Sequence, residues 1–345
     1  MKVSAIKNGS NVNFSMCTIN LGKNNLKKIL EISKIIKQSK TFFIAGHVKP
    51  DGDSLGSALA LASVLNRHDK KACVYCLDKV PNFLKFIKNS NKIKTFANKT
   101  DKFDCAIILE SSNFLRMGNI IVPEQSRKII NIDHHLSYTN FGNVNYVVPS
   151  SASTAELILN IFEHMKIKLI KSEAESLYTG ILTDTDRFQQ INTTADSHIA
   201  CAKLMKYNID VNKIYKNIYE NYSINTLKLQ GLAISQIKTI LNDRVSYIVL
   251  TKNIFKKSGA RFDDSGSIVN YALRIKGVSV GFVFKEIDKK NTKISCRSVR
   301  NFDVLDIVLR FGGGGHKNAA GCIINEGVDV SIKMIVSVLR EKFND

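Results

Sequence analysis

"HVKPDGDSLGS", residues 47–57, sets His47, Asp51 and Asp53 in one turn directly after the apolar run "TFFIAG". Pro50 and Gly52 make that turn tight. One histidine and two carboxylates at this spacing can cap a helix, hold a phosphate or bind a cation. A lone Asp after a strand is most often a helix N-cap. The pattern recurs, however. "DCAIIL" ends in Glu110, "KIINI" ends in Asp133-His134-His135, and "SLYTGIL" ends in "TDTD", residues 183–186. Capping explains each of these singly and does not explain the recurrence. Mixed imidazole and carboxylate ligands suit Mn²⁺ or a similar borderline cation better than zinc, which favours thiolates. The set is large enough for two cations. A pair about 3.5–4 Å apart is a standard arrangement for phosphoester hydrolysis, in which a shared hydroxide attacks phosphorus.

Such a centre needs a scaffold that brings these ends together. In an open α/β sheet, ligands gather at the carboxyl ends of the strands. Candidate strands run over 41–46, 72–77, 104–109 and 128–132, with helical patterns between and after them. The strands are nearly continuous apolar runs, as a covered parallel sheet requires. Past residue 150 the pattern is mostly helical. After the polar "ENYSIN" a helix and three more strands follow, over 244–250, 278–284 and 292–298. The expected fold is α/β: an N-terminal doubly wound, mainly parallel sheet, then a smaller C-terminal α/β domain, with the active site in the cleft between them. The expected segments are an irregular arm over 1–22, a catalytic domain over 23–205, a linker over 206–225 and a substrate-binding domain over 226–345.

A chain of 345 residues with 44% hydrophobic and 23% charged residues is an ordinary globular composition, and its length favours two domains. No apolar run is long enough to span a bilayer, and the N-terminus lacks a signal-peptide pattern. The formal net charge of +20 attracts polyanions, but Lys is abundant throughout, so charge supports an anionic substrate only weakly. The seven cysteines are odd in number and lie mostly in apolar runs, which fits buried thiols in a reducing cytoplasm. "CVYC", residues 73–76, reads as core packing rather than a zinc or redox pair.

"RFGGGGHKNAAG", residues 310–321, holds four consecutive glycines followed by His316 and Lys317. Glycines let backbone N–H groups approach an anion. Gly313, Gly314, Gly315, His316 and Asn318 are therefore candidates for gripping a nucleotide. Arg297, in "SCRS", can take a terminal phosphate bidentately, and Ser298 adds a hydroxyl. Arg116 is a further phosphate-contact candidate. Scattered aromatics and the absence of Trp give no platform for long single strands.

With "HVKPDGDSLGS", "DHH", "TGILTDTD", "SCRS" and "RFGGGGHKNAAG" in this order, the chain resembles the DHH phosphoesterase superfamily with its DHH-associated domain, from about residue 30 onward. Within it, the chain resembles the compact two-domain branch: nanoRNases that also dephosphorylate pAp, and stand-alone cyclic-di-AMP or pApA phosphodiesterases. The resemblance implies one cation on His47, Asp51 and Glu110, and a second on Asp53, Glu110, His134 and Asp184. Asp133 would orient a histidine, and His135 would face the substrate phosphate or sit behind the ligands. The expected activity is a cytoplasmic phosphodiesterase with two Mn²⁺ per chain, Mg²⁺ or Co²⁺ being substitutes. Its expected substrates are short adenine nucleotides: cyclic di-AMP, pApA, short oligoribonucleotides and pAp. A general oligoribonuclease with pAp phosphatase activity is the alternative. A family-II pyrophosphatase and a non-catalytic nucleotide-binding regulator are lesser ones. A homodimer is compatible with the sequence; a membrane or long nucleic acid is not an expected partner. Two departures stand out. Glu110 replaces the usual Asp, and "TDTDRF" replaces a "TDTG-small-F" pattern, which implies altered substrate contacts at Asp186 and Arg187.

Overall fold

The computed structural model describes residues 22–299 and 302–343. Apart from Gly22, the arm expected over 1–22 lies outside the described residues. The first unit starts with α1 (Lys23–Gln38), β1 (Thr41–Ala45), α2 (Gly52–Arg67) and β2 (Lys71–Tyr75). Strands β3 (Phe103–Leu109), β4 (Ser126–Asp133) and β5 (Val144–Val147) follow. Helices α3 (Thr154–His164), α4 (Lys171–Asp184), α5 (Ala195–Met205) and α6 (Val211–Tyr219) complete it.

The five strands form one parallel sheet in the order β2-β1-β3-β4-β5. Alternation along each strand separates two cores. Phe42, Ile44, Ile107, Leu109, Ile130 and Ile132 face the helices. Phe43, Ala45, Ala106, Ile108 and Ile129 face the other way, onto Met117, Ile120 and Ile121. That second face is covered by turns rather than by helices. The connection from β3 to β4 is interrupted by Gly118, at φ 78°, and by Pro123, so it closes as two 3₁₀ turns.

The chain order reverses beside β1: β2 lies on one side and β3 on the other. Crevices at such switch points are where open α/β sheets bind ligands. Glycines set the approach of the helices. A Cβ on Gly56 of α2 would collide with the Ser176 carbonyl of α4, so these two helices pack backbone to backbone.

The first unit extends to Asn221 and the second begins at Tyr222. The segment expected as a linker, 206–225, therefore mostly folds with the first unit. Ile214 of α6 is buried in the helical core, and Arg187 sits 4.6 Å from the centre of the Tyr219 ring.

The second unit comprises α7 (Ile224–Ile234), β6 (Lys238–Ile240), β7 (Val245–Leu250), α8 (Lys252–Ser258) and α9 (Val269–Leu273). It continues with β8 (Val280–Asp288), β9 (Asn291–Ser298), α10 (Leu305–Leu309), β10 (Gly314–His316), β11 (Ala319–Ile324) and α11 (Val328–Phe343). Its mixed sheet runs β10-β11-β9-β8-β7-β6, with β7 and β8 parallel and the other neighbours antiparallel. Residues of α10 and α11 cover one face, and residues of α7, α8 and α9 cover part of the other. Among the described residues, no helix is long and apolar enough to cross a membrane.

Candidate metal centre

Glu110 and Asp133 stand at the carboxyl ends of adjacent strands, joined by the Glu110 N–H donating to the Ile132 carbonyl at 3.0 Å. His47 follows the end of β1, and Asp51 and Asp53 open α2. Asp184 is the last residue of α4. Three overlapping groups result, each with its ligand atoms within 4.8 Å of one another: His47, Asp51 and Glu110; Asp53, His134 and Asp184; and Glu110, His134 and His135. The first matches one expected ligand set in full. The second matches the other set without Glu110, which meets His134 in the third group.

The donors are held from behind. His47 Nδ1 lies 2.7 Å from the Val48 carbonyl, so a proton there leaves the Nε2 lone pair facing Asp51 at 3.5 Å and Glu110 at 3.6 Å. His134 Nδ1 is 3.3 Å from the Ser151 carbonyl, with Nε2 directed at Asp184, 3.3 Å away. Asp53 is wholly buried. It accepts from the Thr154 and Ala155 N–H groups at 2.6 and 2.9 Å, at the N-terminus of α3, and from Ser57 Oγ at 3.2 Å. A Cβ on Gly180 would lie 2.7 Å from Asp53 Oδ1, which accounts for the glycine in "TGILTD". Asp133 Oδ1 accepts from the His134 and His135 N–H groups and from His135 Nδ1 at 2.7 Å, and so orients His135.

These groups repel one another unless a cation joins them. Burial raises Asp53 to about 7, and the Asp51 charge adds to the rise. Glu110 and Asp184 are also pushed well above the carboxylate range, by burial first and then by neighbouring carboxylates. Burial and the His135 charge lower His134. For His47 burial acts downward, but the Asp51 hydrogen bond and charge outweigh it, and the net shift is up. Glu110 Oε2 and His134 Nε2 are both buried without a hydrogen-bond partner. Orphaned donors of this kind, among hard carboxylates and imidazoles, fit divalent cations.

Sequence reasoning placed no site residue between Asp133 and Asp184 beyond the "DHH" pair. The structure adds the α3 N-terminus, and Asn192, which donates to the Asp184 carbonyl at 3.1 Å and to its carboxylate at 3.4 Å. It also adds Glu156, buried with one oxygen unpartnered. "STAE" carries the signal of a helix start, Ser153 capping Glu156, but not of its target. Arg116 sits in the turn after β3; its carbonyl accepts from the Val48 N–H at 2.7 Å, and its charge reaches His47. Arg187 folds back onto Asp186 at 3.0 Å and onto Tyr219. The ring contact ties the end of α4 to Tyr219, the last residue of α6.

In the second unit, Arg297, Ser295 and Lys293 share the solvent side of β9. Lys293 and Ser295 border a groove of about 500 Å³, lined also by Gly312, Gly313 and Gly314. Arg297 is partly buried and donates to the Cys296 carbonyl at 2.9 Å. Ser298 and Asn318, expected beside a nucleotide, bond each other at 2.9 Å and hold the Phe302 and Val299 carbonyls. The glycine run is not a free nest. It leads into edge strand β10, and a Cβ on Gly313, just before it, or on Gly315, within it, would strike β11. Gly314 alone of the three has open space beside it. The His316 side chain lies outside the described structure.

Two family models match in chain order: the DHH family, N-terminal domain, over residues 41–181, and the DHHA1 domain over 242–345. A bifunctional oligoribonuclease and PAP phosphatase NrnA from Thermus thermophilus is 28% identical, covering 92% of this chain and 94% of that protein. The cyclic-di-AMP phosphodiesterase PdeA of Listeria monocytogenes is 24% identical over 89% of this chain but only 48% of its own length. The crystal structure of an exopolyphosphatase-related protein from Bacteroides fragilis superposes with a TM-score of 0.85 at 29% identity, covering 92% of this chain and 96% of that one. The chain belongs to the DHH superfamily of phosphoesterases, with a DHHA1 domain following its DHH domain.

Proposed function

We propose that this chain is a divalent-cation-dependent hydrolase of short oligoribonucleotides that also removes the 3′-phosphate of pAp. The paired donor sets, His47–Asp51–Glu110 and Asp53–His134–Asp184, carry the reading. Two Mn²⁺ are the cations the donor chemistry favours. Bound there, divalent cations supply Lewis acidity and an activated water. The chain's own groups do the rest. Glu110, buried and unpartnered at one oxygen, belongs to the His47 group and also lies within reach of His134, which belongs to the other. Asp133 fixes the His135 ring through Nδ1, which would leave Nε2 to meet a substrate phosphate. Arg116 adds positive charge at the edge. Arg297, half-exposed on β9, and the open backbone at Gly314 offer a grip for a nucleotide in the second unit.

The matched length of the oligoribonuclease relative favours linear substrates over cyclic ones. Cyclic di-AMP is the second reading, because the relative named for it still aligns with most of this chain. One assay tests both. Pure protein with Mn²⁺ receives a short RNA, pApA, pAp and cyclic di-AMP side by side, and products are separated by chromatography. Turnover of short RNA, pApA and pAp is expected. Cyclic di-AMP hydrolysed faster than every linear substrate would reverse the ranking. Inactivity on all four would overturn the nucleotide reading.

A further inference from the structure

The two halves of the cation centre are held by different parts of the chain. For Asp53, His134 and Asp184, one short segment, 151–156, reaches all three donors. The Ser151 carbonyl faces His134 Nδ1 at 3.3 Å. The Thr154 and Ala155 N–H groups donate to the two Asp53 oxygens at 2.6 and 2.9 Å. The Ala152 carbonyl accepts from the Asn192 amide at 2.9 Å, and the same amide nitrogen bonds the Asp184 carbonyl at 3.1 Å and its carboxylate at 3.4 Å. The other half is held elsewhere. His47 Nδ1 meets the Val48 carbonyl, Asp51 accepts from the Ser54 N–H at 3.0 Å, and the Glu110 N–H donates to Ile132. Among the described residues, segment 151–156 makes no hydrogen bond to His47, Asp51 or Glu110.

Glu156 locks this segment. One of its oxygens, Oε2, accepts from Ser151 Oγ at 2.8 Å and from the Ala152 N–H at 3.1 Å. In a capping box, the acidic residue at the third helical position reaches back to the N–H of the N-cap itself. Ser153 is the N-cap of α3 and accepts from the Glu156 N–H at 3.3 Å. The Glu156 side chain nevertheless passes Ser153 and bonds the two residues before it. Those are the residues whose carbonyls hold His134 and Asn192. Glu156 is 3% exposed, so these bonds are shielded from solvent.

We propose that Glu156 is a positioning residue for one cation of the pair. By fixing the turn at 151–153 it sets His134 directly and Asp184 through Asn192, and it leaves the cation on His47, Asp51 and Glu110 alone. Glu156 acts through the turn, not as a ligand. Groups that orient metal ligands from behind are worth about 10–100-fold in metal affinity. The inference rests on the two-cation reading above.

The test titrates Mn²⁺ into the full chain, freed of metal by EDTA and dialysis, with calorimetry as the readout. The wild type should show two binding steps. Glu156→Ala should weaken one step by about tenfold or more and leave the other within about twofold. Asp51→Ala should weaken the opposite step, which assigns the halves. Glu156→Gln keeps an oxygen that can accept from both Ser151 and Ala152, so it should restore the weakened step. Asn192→Ala should weaken the same step as Glu156→Ala, and it carries the test if Glu156→Ala does not fold. Turnover of short RNA by Glu156→Ala should recover as Mn²⁺ is raised. A residue that only caps α3 would lower the melting temperature and leave the two affinities in their wild-type ratio. That result, or loss of the same step as in Asp51→Ala, would overturn this inference while the two-cation reading stood. A wild type that binds no Mn²⁺ would overturn both.

Discussion

Raising the pH of the metal-free chain from 5.5 to 8 should lower its melting temperature. The cause is the carboxylate cluster at the strand ends. Asp53 moves from 3.8 to about 7 on folding. Three pH units at 1.36 kcal/mol each make a total of about 4 kcal/mol. The sign follows from proton binding. A carboxyl raised by folding is protonated in the native chain where the unfolded chain has already ionised. Stability is then highest below 3.8 and is lost as pH rises toward 7. Between pH 5.5 and 7 the Asp53 share is about 2 kcal/mol, or roughly 4–8 °C for a unit of this size. Glu110 and Asp184, also raised, act in the same direction, as does His47. His134, lowered by burial, opposes them. Asp51 and Asp133 are lowered, so their effects fall below this window. Thermal melts of the EDTA-treated chain, followed by circular dichroism, measure the profile. Mn²⁺ competes with protons for the same oxygens, so it should raise the melting temperature more at pH 8 than at 5.5. Asp53→Asn should flatten the profile. A metal-free melting temperature that holds or rises from pH 5.5 to 8 would refute the electrostatic account of this centre.

Three further outcomes are expected. Glu110→Gln keeps the size and removes the charge, so turnover should fall by at least about 10²-fold with weaker metal binding by calorimetry, whereas Glu110→Asp should retain measurable activity; wild-type turnover by Glu110→Gln would remove Glu110 from the ligand set. Asp186→Gly should change stability in urea by about 0.5–1 kcal/mol in the stabilising direction, because residue 186 sits at φ 40° where glycine carries no Cβ penalty; a loss of stability would show that the Asp186–Arg187 contact outweighs the strain. Arg297→Ala should raise KM for short RNA by about tenfold with kcat nearly kept, and an equal fall in kcat on a small activated phosphodiester would place Arg297 in the chemical step instead.

The ligand-bearing ends were legible because each terminates an apolar run, and runs of that kind become strands whose carboxyl ends converge in a parallel sheet. What holds the ligands was not legible. Asp53 is cradled by the N–H groups of Thr154 and Ala155, about a hundred positions away, and every residue but proline offers the same backbone donor. Strands β10 and β11 were missed for a related reason. "GGGGHKNAAG" has little apolar alternation, and its strand character comes from pairing: β11 with β9, Ala319 opposite Arg297, and β10 with β11. The helical pattern of α6 was visible, but its docking depends on Arg187 meeting Tyr219, a contact that periodicity does not encode.

The two departures from the family pattern share a physical feature that emerges only in three dimensions. Glu110 has φ 52° and Asp186 has φ 40°, both left-handed, and Arg187 and Phe188 continue that conformation at 62° and 64°. The residues the family pattern carries at these places, Asp and Gly, are the types that tolerate the left-handed region best. This chain sets glutamate and aspartate there instead. Backbone strain of about 1–3 kcal/mol per residue persists only where the surroundings over-determine it. At Glu110 the surroundings are the bond to Ile132 and the burial of the carboxylate among ligands; at Asp186 they are the Arg187 contact and the bonds closing the end of α4. Glu110 is itself a ligand candidate and Asp186 lies two residues past Asp184, so the carboxylate the strain steers most directly is Glu110, which groups with His47 and Asp51 and also with His134.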